Sequence, residues 1–235
     1  MLLEIENLDV AYGDYQVVWG VSLAVAAGEC VALLGPNGSG KSTVVNAVSG
    51  LVRAKGGAIR FDGADLARRP THHRAGLGLA HVLERRRVFR HLTVAQNLRL
   101  CAWHAAAKAG RARALERVYT LFPRLAERQD QTARTLSGGE QQMLAVGRGL
   151  MSGQRLLMVD EPFLGLAPRV IAQMRDIFAA INREGVAILF IEQNARLALS
   201  IAARGYILES VRLAAQGPAK DLLDGPDLKR IFIGG

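Results

Sequence analysis

One stretch of the sequence decides the fold, the nine residues Gly35-Pro36-Asn37-Gly38-Ser39-Gly40-Lys41-Ser42-Thr43. It satisfies the pattern G-x-x-x-x-G-K-[ST], follows the apolar run Cys30–Leu34 and precedes a helical pattern over Ser42–Leu51 that Gly50 closes. For a chain of this composition, the chance of an accidental match is on the order of a few in a thousand, before that context is counted. The spacing therefore predicts a strand, a glycine-rich loop and a helix in series.

The chemistry offered by this phosphate loop, residues 35–43, is anion binding. Its glycines allow the backbone to wrap around phosphate oxygens, and the following helix directs unpaired N–H groups and its positive end at them. We expect Lys41 to reach the β- and γ-phosphates of a nucleotide and Ser42 to ligate Mg²⁺. The loop residues assigned to nucleotide binding are Gly35, Pro36, Asn37, Gly38, Ser39, Gly40, Lys41, Ser42 and Thr43.

Two carboxylates, Asp160 and Glu161, directly follow the apolar run Leu156–Val159. Ligands of open α/β sheets gather at the carboxyl ends of strands. Taken alone, such a pair is usually a solvated turn, but a phosphate loop upstream reverses that balance. We expect Asp160 to hold the Mg²⁺ shell and Glu161 to orient or deprotonate an attacking water.

A second glycine motif lies at Leu136-Ser137-Gly138-Gly139-Glu140-Gln141-Gln142, called the signature segment below. Ser137 and Glu140 fit a capping box, with Ser137 at N-cap and Glu140 at N3, and a well-capped helix would explain that much. Gly138 and Gly139 add close backbone approach to a phosphate. Since a chain with one nucleotide loop has no need of a second, the motif suits a neighbour's nucleotide.

Together these motifs resemble the ABC transporter ATPase family, whose LSGGQ-type signature is similar to Leu136–Glu140, with Glu140 where glutamine is commoner. The resemblance covers nearly the whole chain. It implies that two cassettes pack head to tail, with each ATP and its Mg²⁺ held between one subunit's phosphate loop and the other's signature. It also implies that Tyr12 stacks on adenine. The signature residues assigned to nucleotide binding are Ser137, Gly138, Gly139 and Glu140.

A closer similarity is to the smaller ATPase subunit of branched-chain amino acid importers. The stretches that carry it are Glu84–Phe89, His91–Val94, Gln96–Leu98, Leu164–Pro168, Glu192–Ala195 and Gly205–Glu209. The similarity implies a motor for branched-chain or other hydrophobic amino acids, with amides or urea as alternative cargo. The implied partners are a second ATPase subunit, two integral-membrane permease subunits and, indirectly, a periplasmic or extracellular substrate-binding protein.

Several positions depart from the general family pattern. Glu84 replaces a glutamine; a carboxylate has the same reach and could touch the Mg²⁺ shell through water, but cannot donate a hydrogen bond. Gln193 replaces a histidine and cannot exchange protons near neutral pH, so acid–base work falls on Glu161. Phe163 and Ala167 stand where serine and aspartate are usual, which puts cross-subunit contacts there in doubt. The catalytic assignments are Lys41, Glu161 and Gln193, and the metal assignments are Ser42, Glu84 and Asp160.

Two further positions, Arg85 and Val211, stand where the subfamily generally has glycine, and nothing in the sequence explains them.

The remaining patterns predict the fold. Leu2–Val10 and Val17–Val25 alternate apolar and polar residues like an antiparallel pair at a sheet edge, whereas Val186–Ile191 is typical of a buried parallel strand. Thr93–Met151 has helical spacing, and Gly205–Glu209 and Arg212–Ala215 predict two short strands before a last amphipathic helix.

We predict an α/β fold with a P-loop NTPase core and a mostly parallel sheet, an N-terminal antiparallel β subdomain and an α-helical signature subdomain. One domain is expected over residues 1–235, with the core at 1–84 and 155–235 and the helical subdomain at about 85–154.

Composition limits the cellular setting. Half of the residues are apolar and mean hydropathy is +0.13, yet the apolar runs are strand-length and fall short of a bilayer span. The segment Met1–Val10 lacks the basic region of a signal peptide, and Cys30 and Cys101 have no disulfide or metal spacing. We expect a cytoplasmic chain, held at the inner or plasma membrane peripherally through permease subunits.

The net charge of +9 is compatible with nucleic acid, an anionic membrane face or a nucleotide substrate. Its one dense spot, Arg85–Arg87 with Arg90, favours a local interface over a general DNA-binding face, so no nucleic-acid partner is expected. The arginines are interpreted as contacts to a membrane subunit's cytoplasmic helix, with ordinary solvated charge nearly as plausible.

Two other functions stay open at this point. One is a soluble ABC protein acting on ribosomes or DNA, although such chains typically carry tandem cassettes or coiled-coil inserts. The other is a nearly inactive subunit that binds ATP while a paralogue hydrolyses it, which Gln193 and Ala167 suggest and Lys41, Asp160 and Glu161 oppose.

Overall fold

The structure, a computed structural model, describes residues 1–233. The strands in that range are β1 (Leu3–Tyr12), β2 (Tyr15–Val25), β3 (Cys30–Leu34), β4 (Gly56–Phe61), β5 (Ala64–Asp65), β6 (Leu79–Val82), β7 (Leu156–Asp160), β8 (Ala187–Glu192), β9 (Arg204–Glu209) and β10 (Arg212–Pro218). The helices are α1 (Lys41–Ser49), α2 (Thr71–Gly76), α3 (Val94–Leu100), α4 (Ala105–Ala109), α5 (Arg111–Leu121), α6 (Pro123–Glu127), α7 (Gly138–Leu150), α8 (Pro168–Arg183), α9 (Ala195–Leu199), α10 (Ala219–Asp224) and α11 (Pro226–Ile233).

The N-terminal layer is an antiparallel sheet in the order β2-β1-β4-β5. Strand β1 buries Leu3, Ile5, Leu8 and Val10, and its period-2 alternation changes phase between Ile5 and Leu8, where the pairing with β2 shifts register and Asn7 has a φ of 46°. The predicted β1–β2 pair is confirmed, but it belongs to a larger sheet, because β4 and β5 complete it on the other side of β1.

The central layer is a sheet in the order β10-β9-β3-β8-β7-β6. The five strands from β9 to β6 run parallel, and only β10 at the edge is antiparallel to its neighbour. This confirms the predicted mostly parallel sheet. Strand β6 was not predicted, because it is four residues long and His81 interrupts its apolar run.

Helices cover both faces of the central sheet. Helix α1 packs between the two sheets through Val44, Val45 and Val48, and α3 to α7 occupy the chain between β6 and β7. Helix α7 packs on β6 and β7, so the helical segment is anchored to the sheet at its centre. The single terminal helix expected from the sequence is two, α10 and α11, because Gly225-Pro226 separates them.

Over residues 1–233, no helix combines the length and apolar character that a bilayer crossing needs. The division of the chain at residues 85 and 154 stays a prediction.

Candidate active site

The phosphate loop joins β3 to α1, and two of its glycines are required by close backbone approach. A Cβ on Gly40, where φ is 97°, would lie 2.7 Å from the carbonyl oxygen of Val17. A Cβ on Gly35 would lie 2.4 Å from both the carbonyl oxygen of Leu208 and Oγ of Ser39. Side chains at either position would push the loop away from the sheet.

Lys41 is the first residue of α1 and is only 5% exposed. Its Nζ donates to the carbonyl oxygens of Gly35, at 2.8 Å, and Pro36, at 2.9 Å. Burial lowers the pKa of Lys41, although Glu161, Asp160 and Glu192 act in the opposite direction. Within the described residues its ammonium has no salt bridge, so it suits an anionic ligand.

The loop opens on a cleft of about 520 Å³, and nine of the eighteen predicted site residues line its walls. Those that line it are Asn37, Gly38, Gly40, Lys41, Ser42, Thr43, Glu84, Glu161 and Gln193. Gly35, Pro36 and Ser39 belong to the same loop but do not line the cleft. Three walls come from three connections that lie far apart in sequence, after β6, β7 and β8.

Asp160 ends β7 and is 4% exposed behind this cleft. Burial raises its pKa to about 6, against the effect of a hydrogen bond from the Ser42 side chain. The other carboxylate oxygen, Oδ1, has no hydrogen-bond partner within the described residues. A buried carboxylate oxygen without a partner beside a serine hydroxyl fits a Mg²⁺ site, since Mg²⁺ prefers oxygen ligands.

Residues 1–233 hold no cluster of three His, Cys, Asp or Glu side chains that could bind a metal by themselves. A Mg²⁺ ion at Asp160 and Ser42 would therefore take its remaining ligands from nucleotide phosphates and water.

Glu161 has a left-handed backbone conformation, with φ of 47°, which is uncommon for a residue with a side chain. Its N–H donates to the carbonyl oxygen of Ile191 in β8 at 2.8 Å. This backbone hydrogen bond joins the turn that carries Glu161 to the neighbouring strand β8, beside the cleft.

One carboxylate in this region was not assigned by the sequence analysis. Glu192 ends β8, is 4% exposed, and accepts a hydrogen bond from the N–H of Phe163 at 3.3 Å. Burial raises its pKa to about 7. The available signal was a carboxylate at the end of an otherwise apolar strand, directly before Gln193.

The signature segment begins α7 and forms the predicted capping box. Oγ of Ser137 accepts from the N–H of Glu140 at 3.3 Å, and Oε2 of Glu140 accepts from the N–H of Ser137 at 2.8 Å. Oε1 of Glu140 pairs with Nε of Arg128 at 3.1 Å. Ser137, Gly138, Gly139 and Glu140 do not line the 520 Å³ cleft, so one chain does not bring its own signature to its own phosphate loop.

Tyr12 lies at the tip of the β1–β2 hairpin and is 51% exposed. It does not line the cleft, whereas Val17 from the same hairpin does. Adenine stacking on Tyr12 stays a prediction. Val17 is an apolar residue of the cleft wall that the sequence analysis did not identify.

The two unexplained non-glycine positions both have positive φ, 62° at Arg85 and 64° at Val211. This is the left-handed region that glycine occupies without strain, which explains why glycine suits both positions. The two following arginines, Arg86 and Arg87, also have positive φ.

The ABC transporter family model matches residues 18–164. The chain is 42% identical over 234 residues to the high-affinity branched-chain amino acid transport ATP-binding protein BraG of Pseudomonas aeruginosa, covering 100% of both chains. It is 32% identical to the lipopolysaccharide export system ATP-binding protein LptB of Haemophilus influenzae, covering 99% of this chain and 97% of LptB.

Among solved structures, the chain is similar to an ATP-binding cassette of an ABC transporter in its ADP conformation. The TM-score is 0.86 at 25% identity, and the match covers 100% of this chain and 99% of that one.

Proposed function

The chain belongs to the ABC transporter family and is an ATPase, and we propose that it is the motor subunit of an importer for branched-chain or other hydrophobic amino acids. In this proposal ATP binding closes a pair of cassettes, closure moves attached permease subunits, and hydrolysis resets them.

One observation carries the proposal. A single cleft collects the phosphate loop with Glu84, Glu161 and Gln193, while the signature segment of the same chain lies outside it. Both halves carry groups suited to a phosphate, namely a buried cation and a capped helix N-terminus. A second cassette, identical or paralogous, supplies the missing half if the two pack head to tail.

The residues of the cleft divide the chemistry of ATP hydrolysis between them. Lys41 binds the terminal phosphates, and Gln193 donates an amide hydrogen bond to the γ-phosphate. Ser42 and Asp160 would hold Mg²⁺ directly, and Glu84 through water. The ion would supply charge neutralisation on the phosphate oxygens. Glu161 orients the attacking water and accepts its proton.

A groove of about 430 Å³ lies between β6, α2 and α7, and it favours the proposal of permease partners. Its mouth carries two exposed aromatic side chains, Phe89 and Trp103, and the guanidinium of Arg148 lies 4.6 Å from the Phe89 ring centre. Arg86 and Arg87 lie on its rim. Exposed aromatics next to arginines are typical of protein interfaces, so we assign the groove to a cytoplasmic helix of a permease subunit. The cassette would then sit peripherally on the cytoplasmic face of the membrane.

The cargo rests on similarity. BraG, by its name, serves branched-chain amino acid transport, and its 42% identity over the full length exceeds the 32% of LptB. Export of lipopolysaccharide is the second candidate, because LptB also matches over nearly its whole length.

Uptake by intact cells tests the proposal. The gene for the chain is deleted in its own host, and uptake of labelled leucine, urea and acetamide is measured after complementation with wild type or Lys41→Ala. We expect leucine uptake to be lost on deletion, restored by wild type and not restored by Lys41→Ala.

Three other results would redirect the assignment. Loss of urea or acetamide uptake alone would replace the cargo, and loss of lipopolysaccharide at the cell surface with normal leucine uptake would favour the exporter. Salt-sensitive binding of the purified chain to ribosomes or duplex DNA, with no transport phenotype, would favour the soluble alternative.

A further inference from the structure

Glu192 is a buried carboxylate without a role in the proposed mechanism. It ends β8, the strand between β3 and β7. In the sheet register it lies opposite Leu34, the residue before the phosphate loop, and its neighbour Ile191 lies opposite Asp160. The side chain does not line the nucleotide cleft, so it is not placed to touch the substrate.

Three backbone N–H groups surround this carboxylate. The N–H of Phe163 donates to Oε1 at 3.3 Å, and the N–H groups of Gln193 and Asn194 lie close enough to lower the pKa of Glu192 against the larger effect of burial. Burial of a carboxyl group is costly unless it is hydrogen-bonded, so these contacts are needed to keep the group inside the protein.

The three donors come from two different loops. Phe163 lies two residues after Glu161, and Gln193 directly follows Glu192. The carboxyl group of Glu192 therefore links the loop that carries Glu161 to the loop that carries Gln193.

We propose that Glu192 is a positioning residue for ATP hydrolysis, whose carboxyl oxygens hold the loop after Glu161 against the loop of Gln193. The inference rests on the proposed function, because that function assigns Glu161 and Gln193 their roles.

The backbone of Glu161 shows why such a tie is needed. A left-handed conformation of a non-glycine residue is held only when its surroundings impose it. On one side the N–H of Glu161 is fixed to Ile191. On the other side the chain is fixed two residues later, where Glu192 accepts from Phe163.

Phe163 can make polar contacts in this loop only through its backbone, because its side chain is apolar. Its ring packs against Phe178 and Phe190, with ring centres 5.9 and 6.0 Å away. A serine at this position could hold the loop through its hydroxyl, whereas a phenylalanine offers only its N–H and C=O. The hydrogen bond from the N–H of Phe163 to Glu192 is therefore the polar contact that holds the loop after Glu161.

Two substitutions separate hydrogen-bond geometry from charge. Glu192→Gln keeps the side-chain length and an oxygen that accepts from Phe163, but removes the charge. Glu192→Asp keeps the charge but retracts the carboxylate by one methylene. We expect Glu192→Gln to retain kcat within about threefold and Glu192→Asp to lose about tenfold or more, since small displacements of a catalytic group are costly.

Asn182→Ala is the matched control. The Asn182 side chain donates to the carbonyl oxygen of Gly28 and to that of Val186, the residue before the start of β8. Removing this side chain therefore also removes side-chain-to-backbone hydrogen bonds. We expect the control to lower the melting temperature without lowering kcat. ATP affinity, measured with a fluorescent ATP analogue, should stay within about twofold of wild type in all three variants, since the substituted side chains do not line the cleft.

The readouts distinguish failure of the inference from failure of the proposed function. If wild type, alone or with a partner cassette, shows no ATP turnover, the proposed function fails and the inference with it. If wild type turns over and Glu192→Asp does so equally well, the inference alone is overturned. A Glu192→Gln variant as impaired as Glu192→Asp would also overturn it, because a side chain of the same length with an acceptor oxygen would then not be enough to hold the loop.

Discussion

At the scale of single residues, His81 makes the stability of the protein depend on pH. It lies in β6 with Nδ1 3.0 Å from Oγ of Ser49, the last residue of α1, and burial lowers its pKa from 6.5 to about 4. The unfolded chain therefore binds a proton that the folded protein does not bind between pH 6.5 and 4. The stability contributed by the neutral ring is present above pH 6.5 and is lost as the pH falls through this range.

We expect the free energy of unfolding of wild type to fall by about 3 kcal/mol more than that of His81→Gln between pH 7 and pH 4. Urea denaturation at both pH values measures this difference. His91→Gln, at an exposed histidine, is the control and should behave as wild type. Parallel pH curves for wild type and His81→Gln would contradict the assignment.

Val211 stores backbone strain in the turn between β9 and β10. Its φ is 64° and that of Ser210 is 47°, and left-handed conformations are unfavourable for β-branched residues. We expect Val211→Gly to raise the free energy of unfolding by about 1 kcal/mol. Ala214→Gly, at an exposed position of β10, is the control. It should lower the free energy of unfolding, because a strand position has no left-handed strain for glycine to relieve. A loss of stability in Val211→Gly would show that the turn is not strained.

Arg85, Val211 and Glu192 show how much the sequence alone can predict about single residues. The resemblance to the subfamily implies glycine at the positions of Arg85 and Val211, but the physical reason for it, the sign of φ, comes from the structure. Similarly, the length and charge of Glu192 are visible in the sequence, whereas its link to Phe163 depends on the turn after Glu161.

At the scale of elements, two capping boxes of the same type allow structure and function to be separated. Thr93 caps α3 with Gln96, and Ser137 caps α7 with Glu140. We expect Thr93→Ala and Ser137→Ala each to cost about 1 kcal/mol of stability. Only Ser137→Ala should also weaken ATP-dependent pairing of cassettes, because only α7 presents its N-terminus to a neighbour's phosphate in the proposed dimer.

Pairing is measured in the Glu161→Gln background by sedimentation across ATP concentrations, with chemical denaturation of both variants alongside. Equal pairing by Thr93→Ala and Ser137→Ala would indicate that Ser137 serves its own helix alone.

Elements were predictable where one strong local signal defined them. The apolar runs that became β3, β7 and β8 are bounded by glycine or charge, and the capping residues marked the start of α7. Strands β4, β5 and β6 escaped prediction for local reasons. Gly56 and Gly57 open β4, β5 has two residues, and His81 lies within β6. Their strand conformation depends on pairing, of β4 with β1, of β5 with β4 and of β6 with β7, which local sequence does not specify.

At the scale of the whole molecule, the cleft depends on sheet order. Lys41, Glu84, Glu161 and Gln193 are dispersed over more than half of the sequence, and they meet because β3, β8, β7 and β6 are neighbours in that order. The motifs identified the residue types, and the resemblance to a family supplied their grouping. Composition and spacing alone could not supply it, since many strand orders are compatible with the same runs.

The separation of the phosphate loop from the signature segment within one chain is the central feature of the whole molecule. The phosphate loop and Glu161 line one cleft, and the signature segment does not. We therefore expect ATP to be held between two cassettes, with Glu161 needed for hydrolysis but not for binding.

The most direct test is the assembly state of Glu161→Gln with ATP and Mg²⁺, alone and mixed with a paralogous cassette from the same host. Sedimentation gives the mass, and the bound nucleotide is identified after separation. We expect retained ATP, nearly complete loss of hydrolysis and a complex of two cassettes that dissociates when ATP is removed. Undiminished turnover, or ATP bound to a species with the mass of one chain in both mixtures, would contradict this expectation.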